Sequence, residues 1–294
     1  MRHTDPAPVL RVGVVGCGIM GAGIAEVCAR RDLDVLVAVT STDSERRGRR
    51  RLQASLDRAV ASGKLSVTER DGVLENITFT TDLGRLRTRQ FTVEAITEDE
   101  KHKHAVLREL DRALPDPSAL LASTTSSLSL GRLCDAVTRK GRFLGTHFFS
   151  PAQSTPLVEL IGTPFTDGAA LDRAELFLTK TLGKEVIRAG DRSGFVVNRL
   201  LVPYLVSAVR MLESGFAGAE DIDRAMVLGC AHPVGPLKLA DHIGLDTVAS
   251  AALSLFTAFA EPQYEPPALL RQLVDEGRLG RKTGRGFYDY PHTD

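Results

Sequence analysis

The 294-residue chain has no charge imbalance: 37 lysines and arginines stand against 37 aspartates and glutamates. A neutral chain exerts no long-range pull on nucleic acid or an anionic membrane, so neither is expected as a partner. Cysteine is sparse and scattered, at positions 17, 28, 134 and 230, with no CxxC and no metal-ligand spacing. Cys17 and Cys28 fall across a turn and a helix, a poor geometry for a disulfide, and reduced thiols of a cytoplasmic protein are expected. No apolar run approaches the roughly 18 to 20 residues of a membrane span, and the opening "MRHTDPAPVL" has no apolar signal core. Repeats and low-complexity blocks are also lacking. What is present is ordinary for a globular protein: 43% hydrophobic and 25% charged residues, over a length sufficient for two domains.

Along the chain, residues 1–9 read as a short tail. "LRVGVVG" (10–16) is a continuous apolar run closed by glycine, as expected of a strand buried on both faces. Residues 18–31 have helical periodicity, and "DVLVAV" (34–39) is the next buried strand. The opening is therefore β-α-β, which implies a parallel sheet with a right-handed crossover. A charged helix is expected over 44–62 and a second from Lys64, then strands at "ITFTTDL" and "FTVEAI" and a helix over 100–113. "ALLAST", "RFLGTHFF" and "PLVELIGT" read as three more strands. After "GKEVIRAGDRSGF" the pattern turns almost wholly helical, led by "VVNRLLVPYLVSAVRMLESG". The expectation is an α/β domain over 1–190 and a helical domain over 191–294.

Gly16-Cys17-Gly18-Ile19-Met20-Gly21 is a G-x-G-x-x-G placed where a buried strand ends and a helix begins, inside a β-α-β of suitable length. Gly16 suits the tight turn, Gly18 lets the backbone approach a pyrophosphate, and Gly21 lets helix and strand pack closely. The helix N-terminus then offers free N–H groups and a positive dipole end to phosphate. About 20 residues further on, an NAD site usually carries a carboxylate for the adenosine ribose, and this chain has Val39. Thr40, Ser41 and Thr42 follow, able to donate to phosphate oxygens, and Arg46 or Arg47 can reach the same place. The pattern leans to NADP(H) over NAD(H). The arginine run could equally be a solvated helix face or a dock for an acidic partner.

Within residues 122–164, His147 and Glu159 stand on two expected strands joined by a loop, so a hairpin would set them side by side. A histidine exchanges protons near neutral pH, and a carboxylate behind it fixes its tautomer and stabilises the imidazolium. Glu159 also sits in the apolar run "LVELI", where an unpaired carboxylate would be costly.

Taken with "GVVGCGIMGAGIA", "VEAITED", "TSSLSL", "GTHFFSP", "SGFVVNRLLVPYL", "HPVGPLKLADHIGLD" and "GRKTGRGFYDY", these residues make the chain resemble the 3-hydroxyacyl-CoA dehydrogenase family over essentially its whole length. The resemblance implies a Rossmann-type N-terminal domain, an all-helical C-terminal dimerisation domain, a homodimer, and hydride transfer between a 3-hydroxyacyl thioester and NAD(P). It implies His147 as the proton-transfer residue, Glu159 as its partner, and Ser126 and Asn198 beside the reacting oxygen. Glu98 and Lys103 match positions near the nicotinamide half of the cofactor, and Ser55 and Lys64 match acyl-CoA contacts.

Plainer roles exist for several of these. Ser126 could cap a helix starting near Leu128, Asn198 could cap or cross-link the long helix, and Lys103 could be one surface lysine in a charged helix. The chain also departs from the commonest family pattern at Ser150 and Thr124, where asparagine is usual, and at Pro156, where lysine is common. These changes bear on substrate more than on reaction type. The default substrate is a short-chain acyl-CoA. The alternatives are a hydroxymalonyl-type group on an acyl carrier protein of polyketide extender-unit biosynthesis, or a non-catalytic dinucleotide-binding or structural protein.

Overall fold

The computed structural model describes residues 8–290, so most of the tail expected over 1–9 lies outside the described residues. The chain separates at Asp191 and Arg192 into two compact units.

The first unit is built on one eight-stranded sheet. Its strands are β1 (Arg11–Val15), β2 (Asp34–Ala38), β3 (Ile77–Thr80), β4 (Phe91–Glu94), β5 (Leu120–Ser123), β6 (Phe143–Phe148), β7 (Leu157–Gly162) and β8 (Glu185–Gly190). The helices are α1 (Ile19–Ala29), α2 (Thr42–Ala61), α3 (Val67–Glu75), α4 (Glu100–Ala113), α5 (Leu130–Cys134) and α6 (Gly168–Leu176). In space the strands run β3-β2-β1-β4-β5-β6-β7-β8. The chain thus starts at β1, winds out to β3, and returns to the other side of β1 with β4. That change of direction opens a crevice beyond the carboxyl ends of β1 and β4, the usual ligand position in such sheets. The strands β1 to β6 pair in parallel, β7 runs antiparallel to β6, and β8 is parallel to β7.

Buried parallel strands need apolar residues on both faces, which explains the continuous runs. Val12, Val14, Val35, Val37, Phe91, Val93, Leu120 and Leu144 all belong to one core cluster. The helix α2 is capped by Ser41, whose hydroxyl accepts from the Ser44 N–H at 3.2 Å, a cap typically contributing about 1 kcal/mol. The cysteines of this unit, Cys17, Cys28 and Cys134, are buried free thiols.

Two features have no counterpart in the sequence reading. The helix α6 runs on into a π-helical turn over Phe177–Thr181, and β8 extends the sheet where no strand is expected. β8 is an edge strand with mostly exposed side chains, so it lacks the apolar run that marks its neighbours.

The second unit packs α7 (Val197–Glu213), α8 (Ala219–Cys230), α9 (Pro236–Ile243), α10 (Leu245–Phe259) and α11 (Ala268–Asp275) around Leu205, Val209, Leu237, Leu245 and Leu270. Helix does not persist to the end. Gly277, Gly280 and Gly284 take positive φ values, and the segment folds back through isolated bridges of Arg285 to Gly280 and Asp289. Asp241, 1% exposed, holds it there by accepting from the Phe287 and Tyr288 N–H groups and the Tyr290 hydroxyl, each at 3.0 Å. Among the described residues, no single helix is long and apolar enough to cross a membrane.

Candidate active site

The three loop glycines meet three different surroundings. Gly16 has φ +95°, a region that favours glycine, and a Cβ there would lie 2.6 Å from the Ala95 carbonyl oxygen. At Gly21 a Cβ would lie 2.1 Å from the Gly16 carbonyl oxygen, so only glycine lets α1 approach β1 this closely. At Gly18 a Cβ would meet nothing within 4 Å. Among the described residues nothing crowds a side chain at position 18. That open space lies at the N-cap of α1, where no side chain accepts from the first helical N–H groups. The neighbouring Ile19 is 73% exposed and Met20 is half-buried. An uncapped helix start with a smooth approach suits a pyrophosphate. The residues present fit a dinucleotide.

Past β2, Val39 is buried in the core. Ser41 serves as helix cap, and the Thr40 hydroxyl lies 3.3 Å from that of Ser44. Thr42 is the first residue of α2. Four arginines of the run are already engaged. Arg46 pairs with Asp43 at 2.5 Å, Arg47 donates to the Ser44 hydroxyl at 3.0 Å, and Arg49 pairs with Glu45 at 2.8 Å. Arg51 donates to the Cys17 carbonyl inside the glycine loop at 3.2 Å. The exposed pairs are weak and a ligand phosphate can compete for them, but each arginine would exchange one partner for another.

The loops after β4 and β5 carry a connected polar set. Glu98 Oε1 accepts from the Thr125 hydroxyl (2.5 Å), the Ser126 N–H (3.0 Å), the Ser127 N–H (3.1 Å) and the Ser127 hydroxyl (2.9 Å). Lys103 lies 3.4 Å from Glu98 Oε2. Burial opposes charge on Glu98, but Lys103 and these hydrogen bonds outweigh it and hold the carboxyl below its ordinary value. Ser126 does not cap a helix near Leu128, because α5 starts later and its cap is Ser129. Lys103 is not a surface lysine either: it is 1% exposed and donates to Glu94 Oε1 at 2.7 Å. Its helix is charged on the face that α4 turns to solvent, which hides the inward one.

Glu94 and Ser123 are not singled out by the motif pattern, yet they close this set: the Ser123 hydroxyl donates to Glu94 Oε2 at 2.6 Å. The signal was available. Glu94 interrupts an apolar strand, "FTVEAI", as Glu159 interrupts "LVELI", and a buried carboxylate demands partners.

His147 and Glu159 are direct partners in the β6–β7 ladder, and Nδ1 lies 2.7 Å from Oε2. His147 is 6% exposed and Glu159 is fully buried. The His147 ring packs against Phe149, with centroids 4.5 Å apart. A carboxylate only accepts, so an ionised Glu159 sets the ring proton on Nδ1. From the loop between these strands, Gln153 donates to the Ser55 hydroxyl at 3.0 Å, while Lys64 is exposed just past α2. The structure therefore gathers His147 with Glu159, and Glu98 with Lys103 and the Ser126 backbone. Asn198 stands in the first turn of α7, in the second unit. Among the described residues no group of three or more histidines, cysteines or carboxylates could hold a metal ion.

The chain is similar to known proteins over nearly its whole length. Residues 11–192 match the family model "3-hydroxyacyl-CoA dehydrogenase, NAD binding domain", and residues 194–290 match "3-hydroxyacyl-CoA dehydrogenase, C-terminal domain". A 3-hydroxybutyryl-CoA dehydrogenase of Mycobacterium tuberculosis is 52% identical over 282 residues, covering 96% of this chain and 99% of that protein. The mitochondrial hydroxyacyl-coenzyme A dehydrogenase of Homo sapiens is 39% identical over 290 residues, covering 96% and 91%. The crystal structure of (S)-3-hydroxybutyryl-CoA dehydrogenase from Ralstonia eutropha superposes with a TM-score of 0.88 at 40% identity, covering 96% and 99%. The chain belongs to the 3-hydroxyacyl-CoA dehydrogenase family.

Proposed function

We propose that the protein interconverts a 3-hydroxyacyl-CoA and the 3-oxoacyl-CoA, with a short chain such as 3-hydroxybutyryl-CoA as substrate. The observation that carries this is the buried His147–Glu159 pair, joined to the names of the relatives reported above. A nicotinamide dinucleotide bound at Gly16, Gly18, Ile19, Met20 and Gly21 supplies the hydride acceptor or donor. In oxidation His147 takes the hydroxyl proton on Nε2, and Glu159 stabilises the resulting imidazolium through Nδ1. In reduction the same nitrogen returns the proton. Ser126 hydrogen-bonds the reacting oxygen as its charge develops, the role that the family resemblance also gives Asn198. Glu98 and Lys103 border the nicotinamide half of the dinucleotide site. Ser55 and Lys64 contact the CoA moiety.

NAD(H) is the cofactor this reading favours, since the matching model is of an NAD binding domain and the arginines that suggested NADP(H) already have partners. Thr40, Ser41, Thr42 and Arg46 would then lie at the adenosine end without gripping a 2′-phosphate. Nothing in the site or the comparisons favours a carrier-protein substrate. A homodimer formed through the helical unit completes the reading, supported by the exposed Leu200, Phe216 and Leu228. Sedimentation at micromolar concentration tests it.

Separate titrations of NADH and NADPH during acetoacetyl-CoA reduction test substrate class and cofactor together. Turnover with NADH at a lower KM than NADPH is expected. No turnover with either cofactor overturns the reaction, and a lower KM for NADPH overturns the cofactor assignment.

A further inference from the structure

Glu94 is fully buried at the carboxyl end of β4, and among the described residues its side-chain partners, Ile96, Lys103 and Ser123, lie on or beside the segments that carry Glu98 and Ser126. Its Oε1 accepts from the Ile96 N–H at 2.8 Å and from Lys103 at 2.7 Å, and its Oε2 accepts from the Ser123 hydroxyl at 2.6 Å. Ser123 in turn accepts from the Thr125 N–H at 3.4 Å. Lys103 also reaches the Ile96 carbonyl, at 3.5 Å, and Glu98, at 3.4 Å. The charges therefore alternate along one line, Glu94, Lys103, Glu98. The first two are at most 1% exposed, and Glu98 comes to the surface to collect the 125–127 loop.

We propose that Glu94 is a positioning residue for the reaction: by clamping Lys103 and Ser123 it fixes the β4 and β5 loops that present Glu98 and Ser126. Three features distinguish this from a plain structural ion pair. Glu94 holds both loops at once, one through Ile96 and the other through Ser123, the last residue of β5, which accepts from the Thr125 N–H. The loop after β4 also supports the glycine loop, since the Ala95 carbonyl faces Gly16 and the Ala95 N–H donates to the Val15 carbonyl at 2.8 Å. And Lys103 passes the contact on to Glu98, 36% exposed, which gathers the Ser126 and Ser127 N–H groups. A buried charge pair with complete hydrogen bonding contributes little net stability but holds a unique geometry. Geometry is what hydride transfer needs, because small misplacements of reacting groups are costly in rate.

The inference rests on the dehydrogenase reading, and its test separates the two. Wild-type turnover of acetoacetyl-CoA with NADH settles the reaction before any variant is made. Glu94→Gln keeps the shape and removes the charge. Backbone hydrogen exchange, read without cofactor or substrate, is expected to speed up at Ser126 and Ser127 by about tenfold or more, with the α1 amides unchanged. The NADH dissociation constant is expected to rise, and kcat to fall by about tenfold to a hundredfold with the acetoacetyl-CoA KM changing much less. Glu94→Asp, which keeps the charge, is expected to recover part of kcat. Should Glu94→Gln fail to fold, Ser123→Ala removes one arm of the clamp and leaves no charge unpaired, and it is read in the same way. Unchanged exchange at Ser126 and Ser127, or a lower melting temperature with kcat unaltered, overturns the proposal.

Discussion

His147 Nδ1 lies 2.7 Å from Glu159 Oε2 because the two residues are direct partners across an antiparallel ladder and present their side chains on one face of the sheet. The carboxylate is fully buried, so its charge is directed at the imidazole rather than dissipated in water. Glu159→Gln is expected to lower kcat for acetoacetyl-CoA reduction by about 10²- to 10⁴-fold, because an amide neither fixes the tautomer nor stabilises the imidazolium. His147→Ala is expected to fall at least as far. Steady-state kinetics on the purified variants decides it, and unchanged turnover in His147→Ala would remove the mechanism.

Gly18→Ala and Gly21→Ala should part company. A methyl at Gly18 meets open space, so the melting temperature is expected to hold while NADH binding weakens by tenfold or more (about 1.4 kcal/mol per factor of ten). A methyl at Gly21 collides with the Gly16 carbonyl, and overpacking of this kind costs about 1 to 3 kcal/mol or more. Thermal melts of the free proteins, paired with calorimetric NADH titrations, separate the two effects. Equal loss of stability in both variants would contradict the ligand role given to Gly18.

Acid should erode one specific contribution from Glu98. Its folded pKa is lowered from an ordinary 4.5, so the folded state binds the proton less tightly than the unfolded chain. The stabilisation is therefore complete above about pH 4.5 and is lost as pH falls through the lowered folded value. The stability difference between wild type and Glu98→Gln is expected to be flat above that pH and to shrink below it. Urea denaturation from pH 7 down to pH 3 measures it, and a difference that grows on acidification would reverse the sign argued here.

The C-terminal segment should depend on Asp241. A Cβ at Gly286 would lie 1.9 Å from Asp241 Oδ1, and one at Gly280 would lie 2.3 Å from the Asp241 carbonyl oxygen. Asp241→Asn puts an amide where two backbone N–H groups and a hydroxyl donate, leaving at least one buried donor unmet at a cost of about 1 to 3 kcal/mol. Gly286→Ala is expected to destabilise at least as much. Chemical denaturation followed by circular dichroism reads both, and a melt unchanged in Gly286→Ala would mean the segment is not seated as described.

Thiol chemistry gives a further check on the core. Burial, only partly offset by Arg51 and Arg49, pushes the Cys17 thiol up to about 11; burial, partly offset by Lys184, pushes Cys28 up to about 12. Cys134 is buried too, whereas Cys230 is exposed. A thiolate-specific reagent at pH 8 is expected to label Cys230 rapidly in the native protein and the other three only on unfolding. Fast native labelling of Cys17 would show that the glycine loop opens.

Much of this was legible from residues alone, for identifiable reasons. β1, α1 and β2 announce themselves because strands buried on both faces must be apolar and the intervening turn must be glycine. The His147–Glu159 pairing is legible because two adjacent strands with a short loop can hardly avoid facing each other. β8 is not, since an edge strand exposed on most positions has no reason to be apolar. The inward turn of Lys103 is hidden for a different reason. Its partner Glu94 comes from a separate strand, and spacing along α4 says nothing of that.

The single reversal at β6 and β7 has a further consequence, for how the molecule assembles in time. His147 and Glu159 are only 12 positions apart in the chain, and closing so short a loop costs little entropy. Ser123 and Glu94 are 29 positions apart, as are Ser127 and Glu98, and the glycine loop must meet a β4 loop from far along the chain. Such non-local contacts form slowly. The β6–β7 hairpin can thus form in a refolding chain before the crevice beyond β1 and β4 exists.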